Sequence, residues 1–353
     1  MLGAATNTCR GLYSHGLGGI LHRRAHPPRR YVLTVSPPAL LGRRLIFVTG
    51  KGGVGKSTVC AALGLLASSY GLRTVIAEIG GDDRLARSLG ARGGAPGEEL
   101  QIAPRLFTTS IVPERAMEEY LRVKAGPAAP LLSRSRAFGA LATATPGMRD
   151  LLTVGKVWEL AQPERRTHHA APYDLVIVDA PATGHGIGLL RTPGTFAEIA
   201  RVGPIAHQGE TIATTIADRT FTGIVAVSTA EEMPVNETLA LADALADDGL
   251  EVDAVILNAR YPDRFEPDEL ERVRAALADP ESQLPPSARA ALRAALSERA
   301  RAQVAATQQA RLRDRFDGRL VTLPFVFAPA LGRSEVRMLA GTLADALDPG
   351  DGA

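Results

Sequence analysis

Cysteine is nearly absent from this 353-residue chain, which contains only Cys9 and Cys60. Two such cysteines exclude a disulfide framework and a cysteine-based zinc site. The chain also lacks any stretch of about 20 consecutive apolar residues, so no membrane-spanning helix is predicted. Because neither disulfides nor a secretory signal is predicted, we expect a cytoplasmic protein.

Lysine is scarce as well, with 4 lysines against 36 arginines. Residues 1–44 contain seven arginines and no acid, and the whole chain carries a net charge of +2, so the remainder is at about −5. Nucleic-acid-binding domains are strongly basic, and the remainder of this chain is not. We therefore expect no nucleic-acid partner. Residues 1–43 are interpreted as a disordered basic extension, the alternative being a start codon assigned too far upstream, and residues 348–353 as a short tail.

Two of the four lysines lie in one glycine-rich run, Gly50-Lys51-Gly52-Gly53-Val54-Gly55-Lys56-Ser57-Thr58. An apolar run precedes it and a helical pattern follows it, which is the strand-loop-helix context of a phosphate-binding loop. Glycines let backbone amides approach a phosphate, and the next helix presents its positive end. The run therefore predicts a site for ATP or GTP. Within it, Lys56 bridges the β- and γ-phosphates and the Ser57 hydroxyl holds Mg²⁺.

A second candidate metal ligand is Asp179, which ends the apolar run 175–178. Such a run predicts a buried strand whose carboxyl end lies beside the loop, where a carboxylate can hold Mg²⁺ directly or through water. The alternative is an ordinary aspartate that caps the following turn. Asp174 begins the same strand and is expected at its opposite end.

Short apolar runs alternate with helical patterns along the rest of the chain. Strands are predicted at 45–48, 73–79, 106–112, 174–179, 223–228, 254–258 and 320–323, and helices at 57–69, 116–123, 131–141, 148–160, 234–246, 267–278, 288–312 and 334–347. This alternation predicts an α/β fold with a doubly wound, mostly parallel sheet. Residues 44–347 would form one domain with helical insertions at about 113–165 and 262–318. Arg149, Lys156 and Arg191 are interpreted as surface charges, the alternative being that they line the nucleotide site or the dimer face.

Three segments together resemble the ArsA/Get3-like ATPases, a family in the same P-loop class as the MinD and ParA ATPases. They are the loop with its second lysine, the run DAPATGHGIGLL at 179–190 and the run EEMPVNET at 231–238. The resemblance implies ATP as the nucleotide and a dimer in which Lys51 reaches the partner's nucleotide. Lys51, Lys56 and Asp179 are then the predicted catalytic residues, and residues 180–186 act as a switch.

The resemblance also assigns residues to the adenine base. Asn258, at the end of a predicted strand, matches the adenine-reading asparagine of the family. Pro324 and Phe325 match its second adenine-contacting loop. From the residues alone, a strand-end turn asparagine and a packing Pro-Phe pair are the alternatives.

The chain departs from the family in two respects. Many members carry an aspartate after the second strand to orient the attacking water, and Gly80 stands at that place here. The candidate substitutes are Glu78, Asp82 and Asp83, or a group supplied by a partner subunit. The chain also lacks the cysteines that several branches of the family use. Arsenite-binding members have clustered cysteines, targeting members have a zinc-binding pair, and nitrogenase-type members have cysteines that hold an iron–sulfur cluster. We therefore expect neither zinc nor an iron–sulfur cluster.

Two hypotheses follow. The first is a Mg²⁺-dependent ATPase that works as a nucleotide-switched homodimer, or as a heterodimer with a paralogue, and couples ATP to a transport or targeting partner such as a membrane protein. The second is a catalytically weak ATP-binding subunit that regulates a paralogous ATPase. A weaker third alternative is a positioning ATPase of the MinD or ParA kind.

Overall fold

An eight-stranded sheet runs through the part of the chain that the computed structural model describes, residues 37–80, 84–125, 147–165, 170–200 and 202–347. The strands are β1 (Leu45–Gly50), β2 (Thr74–Ile79), β3 (Leu100–Ala103), β4 (Leu106–Ile111), β5 (Leu175–Asp179), β6 (Thr222–Thr229), β7 (Ala254–Arg260) and β8 (Leu320–Pro324). Their spatial order is β3-β4-β2-β5-β1-β6-β7-β8. Only the β3–β4 pair is antiparallel, and every other neighbouring pair is parallel.

Helices cover both faces of this sheet. Those within the described residues are α1 (Lys56–Ser69), α2 (Arg84–Ser88), α3 (Pro113–Ala125), α4 (Met148–Leu160), α5 (Thr183–Ala200), α6 (Pro204–Ala217), α7 (Glu232–Asp247), α8 (Pro267–Ala278), α9 (Pro286–Arg315) and α10 (Arg333–Leu347). None of them is both long and apolar enough to cross a membrane.

Two hydrophobic cores form because successive strand residues point to opposite faces. In β1, Leu45 and Phe47 belong to a core shared with α4, α5, α6, α7 and α9. Ile46 and Val48 belong to the other core, which α1 and α10 cover. A strand buried on both faces needs a continuous apolar run, which is why these strands are readable in the sequence.

The predicted α/β fold with a mostly parallel, doubly wound sheet is confirmed. Sequence patterns did not predict β3 or the helices α2, α5 and α6. The helix predicted at 131–141, most of the basic extension and the tail at 348–353 lie outside the described residues. The domain boundaries and helical insertions stay predictions.

A buried ionic network fixes α4 to the sheet and corrects the interpretation of Lys156 as a surface charge. Lys156 donates to Glu159 at 2.9 Å and to Glu119 of α3 at 2.6 Å, and its side chain is 12% exposed. Arg165 donates to Glu159 at 3.2 Å and to Glu99 at 2.5 Å, and its side chain is 1% exposed. The opposite charges compensate one another, which is what allows them to be buried.

Candidate functional site

The glycine-rich loop joins β1 to α1 at the carboxyl edge of the sheet, where α/β proteins bind their ligands. Gly50 has φ +146°, and a Cβ there would lie 2.2 Å from the Val227 carbonyl oxygen. Gly55 has φ +91°, and a Cβ there would lie 2.3 Å from Asn258 Nδ2. By contrast, Cβ atoms at Gly52 and Gly53 would meet no atom within 4 Å. The loop is therefore held tightly at its two ends and leaves open space over its middle.

Lys56, the first residue of α1, points its ammonium group back over this loop. Its Nζ donates to the carbonyl oxygens of Gly50 at 3.0 Å and Lys51 at 3.1 Å. Burial lowers the pKa of Lys56, and the nearby Asp179 carboxylate partly offsets that effect. The ammonium is thus fixed beside the open part of the loop, in reach of an anion bound there.

Ser57 and Asp179 come together from different elements. Asp179 ends β5, the strand beside β1, and its Oδ2 accepts a hydrogen bond of 2.5 Å from Ser57 Oγ. Burial raises the pKa of the Asp179 carboxyl, although the Ser57 hydrogen bond and the Lys56 charge counteract it. A hydroxyl and a carboxylate oxygen are ligands that Mg²⁺ prefers. Together with the open cradle of the loop, they fit a magnesium nucleotide.

Asp174 lies at the opposite end of β5, as expected. Its Oδ2 accepts a hydrogen bond of 2.7 Å from the Arg73 amide, and Arg105 lies 3.6 Å away. It therefore belongs to the amino edge of the sheet, remote from the loop.

Lys51 makes a contact that the sequence did not predict. Its Nζ donates to Glu237 Oε1, and Thr183 Oγ1 donates to the other carboxylate oxygen at 2.9 Å. The hydrogen bond from Lys51 lowers the pKa of the Glu237 carboxyl. Glu237 lies in α7 and Thr183 is the first residue of α5, so three elements meet at one carboxylate. Glu237 lies within the family-like run 231–238, but nothing in that run indicated this role.

The two regions predicted for the adenine base lie at the same edge. Asn258, near the end of β7, is buried, and its Nδ2 donates to the Val54 carbonyl at 2.9 Å. Pro324 ends β8, pairs with Arg260 of β7, and is exposed. Phe325 stacks on Tyr261 with ring centroids 4.5 Å apart. Neighbouring strands thus place the Asn258 amide against the loop and the Phe325 ring at the same edge of the sheet.

Glu78 is the penultimate residue of β2, and Gly80 directly follows that strand. Gly80 has φ +116°, a conformation that favours glycine over an aspartate. Glu78 lies in register with Asp179, but its carboxylate is buried and accepts from the Leu85 amide and Thr108 Oγ1, each at 3.3 Å. These contacts hold it against α2 and β4. Asp82 and Asp83 lie outside the described residues.

The segment predicted to act as a switch begins outside any helix or strand, at residues 180–182, and enters α5 at Thr183. Gly186 packs closely on β1, because a Cβ there would lie 2.7 Å from Thr49 Oγ1. In the same turn, His185 Nε2 lies 3.5 Å from Asp150 Oδ1 of α4. The first turn of α5 therefore contacts both the strand before the loop and the helical layer.

A strand-loop-helix cradle with a lysine, a hydroxyl and a carboxylate at the edge of a parallel sheet defines a P-loop nucleotide-binding protein. The anion-transporting ATPase family matches residues 43–202 and 197–278. The chain belongs to this family, as the resemblance predicted.

Named relatives agree with this membership. The chain is 33% identical over 254 residues to a Mycobacterium tuberculosis protein named ATPase BagA, covering 70% of this chain and 74% of that one. It is 26% identical over 262 residues to an Aquifex aeolicus protein described as a candidate arsenical pump-driving ATPase, covering 62% and 81%. A Halobacterium salinarum protein of the same description is 25% identical over 232 residues, covering 62% and 35%.

Proposed function

We propose that this chain is a Mg²⁺-dependent ATPase that works as a nucleotide-switched dimer. The observation that carries the proposal is the Ser57–Asp179 pair beside the Lys56 ammonium, on a loop whose middle is open. Family membership supports ATP as the nucleotide. The aromatic ring of Phe325 and the amide of Asn258 would contact its base.

Each group would contribute a defined part of the reaction. The backbone amides of the loop and Lys56 would bind the phosphates and stabilise the charge that develops as water attacks the γ-phosphate. Ser57 and Asp179 would hold Mg²⁺, which neutralises charge on the phosphates when bound. Lys51 would act on the nucleotide of the partner subunit. A cytoplasmic location, the absence of zinc and iron–sulfur clusters, and the absence of a nucleic-acid partner stay predictions.

The energy of hydrolysis would then drive rearrangement of helices. Asp179 is followed directly by the turn that leads into α5, and α5 contacts α4 through His185 and Asp150. A change at the metal ligand can therefore reach the helical layer through one short segment. We propose that this layer acts on a transport or targeting partner, such as a membrane protein.

Steady-state ATP hydrolysis by the purified chain tests this function. We expect Mg²⁺-dependent turnover that falls at least about 100-fold in Lys56→Ala, because the phosphate charge loses its fixed ammonium. Arg272→Ala, on an exposed face of α8, serves as the matched control and should hydrolyse ATP at the wild-type rate. Tight ATP binding without turnover would contradict the enzymatic proposal.

A second candidate is a regulatory subunit that binds ATP and pairs with a more active paralogue. Gly80 favours it, because a glycine stands where many family members carry the water-orienting aspartate, and the buried Glu78 already accepts from Leu85 and Thr108. Assays with and without a purified paralogue separate the two functions. Turnover by the chain alone supports the ATPase, whereas turnover only in the mixture, retained when this chain carries Lys56→Ala, supports the regulatory subunit.

A further inference from the structure

Glu237 uses both oxygens of its carboxylate on two parts of the nucleotide site. Oε1 accepts from the ammonium of Lys51, in the loop, and Oε2 accepts from the Thr183 hydroxyl at 2.9 Å. Thr183 is the first residue of α5, and it lies four positions after the metal-ligand candidate Asp179. One side chain of α7 therefore connects the loop to the segment that leaves the metal site.

The Lys51–Glu237 pair is placed where it can be exchanged for another anion. The two side chains are 29% and 35% exposed, so water reaches both charges. Ion pairs of this exposure are weak, and a polyphosphate carries more negative charge than one carboxylate. The Lys56 ammonium, by contrast, is held by two backbone carbonyls of the loop itself.

Release of Lys51 would change what holds α5. Glu237 would keep Thr183 as its partner while losing the cation that fixes it toward the loop. Helix α5 packs closely on α6, because a Cβ at Gly209 would lie 2.8 Å from the Pro193 carbonyl oxygen. The start of α5 also faces Asp150 of α4. The Glu237 carboxylate therefore contacts the start of a helix that itself packs on α4 and α6.

We propose that Glu237 is a positioning residue that retains Lys51 within its own subunit until nucleotide phosphates displace the carboxylate, and that reports this displacement to α5 through Thr183. The proposal rests on the proposed ATP-binding function, because phosphates are the competing anion. It assigns Glu237 no contact with the reacting atoms.

Two substitutions separate the two links. Glu237→Gln removes the charge that holds Lys51 but keeps an amide oxygen that can accept from Thr183. Glu237→Ala removes both contacts. Asp243→Asn on the same helix is the matched control, because Asp243 pairs with Arg315 at 3.1 Å on an exposed surface. Each variant is made in the wild-type chain and in a Lys51→Ala background, and the affinity for ATP with Mg²⁺ is measured by titration calorimetry.

We expect Glu237→Gln to raise the ATP affinity by about three- to fivefold, since the phosphates no longer compete with a carboxylate for Lys51. In the Lys51→Ala background this gain should vanish, and Asp243→Asn should leave the affinity unchanged. The proposal is overturned if the wild type binds ATP but Glu237→Gln does not raise its affinity. It is also overturned if Glu237→Gln raises the affinity equally in the Lys51→Ala background. If the wild type binds no ATP, the proposed function falls as well.

Amide hydrogen exchange in the nucleotide-free protein tests the second link. We expect the fastest exchange over residues 184–190 in Glu237→Ala, which loses both contacts, and a smaller increase in Glu237→Gln, which releases Lys51 but keeps the Thr183 contact. Equal exchange in the wild type and Glu237→Ala would overturn the connection to α5. This readout does not depend on nucleotide binding.

Discussion

At the scale of single residues, the loop depends on the absence of a side chain at Gly55. Its φ of +91° lies in the left-handed region, and the position that a Cβ would take is 2.3 Å from Asn258 Nδ2. Gly53 has a similar φ of +88° but faces open space. The two glycines thus share one backbone requirement and differ in their surroundings.

This difference gives a prediction for the stability of the nucleotide-free protein. Both Gly53→Ala and Gly55→Ala should lower the free energy of unfolding by about 1–2 kcal/mol through backbone strain. Gly55→Ala should cost about 1–2 kcal/mol more, because it displaces the buried Asn258 amide from the Val54 carbonyl. Denaturant unfolding in urea measures both values.

The control is the same glycine pair in an Asn258→Ala background. There the extra cost of Gly55→Ala should disappear, since a shorter side chain leaves room for the new methyl group. Equal costs for the two glycines in the original chain would contradict the assigned clash.

Single residues were predictable where their place depends on chain neighbours. A lysine and a serine at the start of α1, and an aspartate at the end of β5, reach one edge because parallel strands end together. Glu237 could not be found this way. Its contact with Lys51 joins residues 186 positions apart and depends on how α7 lies over the loop.

At the scale of elements, α4 is held by charge as well as by apolar contact. Glu159, buried on α4, accepts from Arg165 at 3.2 Å and from Lys156 at 2.9 Å. Glu99, just before β3, accepts from Arg165 at 2.5 Å and from the Tyr173 hydroxyl at 2.6 Å. Burial alone would raise the pKa of the Glu99 carboxyl, but these hydrogen bonds outweigh burial and lower it.

Arg165→Met should therefore destabilise the protein by about 3–5 kcal/mol, because it takes a positive charge away from buried Glu159. The matched control is Arg272→Ala in α8, where Arg272 and Asp268 are 73% and 78% exposed and 3.6 Å apart. Its effect should stay within about 0.5 kcal/mol. Guanidinium unfolding compares the two variants, and a loss in Arg165→Met as small as that in Arg272→Ala would show that the network contributes little.

Sequence patterns did not predict the elements whose residues have a low propensity for the secondary structure they adopt. Helix α5 contains Gly184, Gly186, Gly188, Gly194 and Pro193, residues that weaken an isolated helix. In the folded protein small residues become useful, because Gly186 fits against Thr49 and Gly209 lets α6 approach α5. Strand β3 has four residues and lies at the edge of the sheet beside β4. A segment this short shows too little alternation of apolar and polar residues to be predicted as a strand.

At the scale of the whole molecule, the alternation of strands and helices predicted the sheet but not its order. Strands β1 and β2 follow one another in the chain, but β5 lies between them in the sheet. Strand β1 therefore has β5 and β6 as its neighbours. That order decides the site, because it brings Asp179 next to the loop. Sequence periodicity defines strands one at a time, whereas strand order arises from packing between elements far apart in the chain.

A dimer in which Lys51 acts across the interface makes a prediction about mixtures of subunits. Each site would combine Lys56 of one subunit with Lys51 of the other, as a twofold axis requires. Lys51→Ala and Lys56→Ala should each hydrolyse ATP poorly alone. In a mixed dimer, the Lys51→Ala subunit keeps its own Lys56 and receives the intact Lys51 of its partner, so one site is complete.

Mixing equal amounts of these two variants under conditions of subunit exchange should restore about a quarter of the wild-type turnover, since half of the dimers are mixed and each has one intact site. A mixture of Lys56→Ala with Ser57→Ala is the matched control. Both substitutions remove groups that a subunit uses on its own nucleotide. Neither site of that mixed dimer is therefore complete, and no turnover should return. Rescue in the control, or none in the test mixture once exchange is demonstrated, would show that Lys51 does not act on the partner's nucleotide.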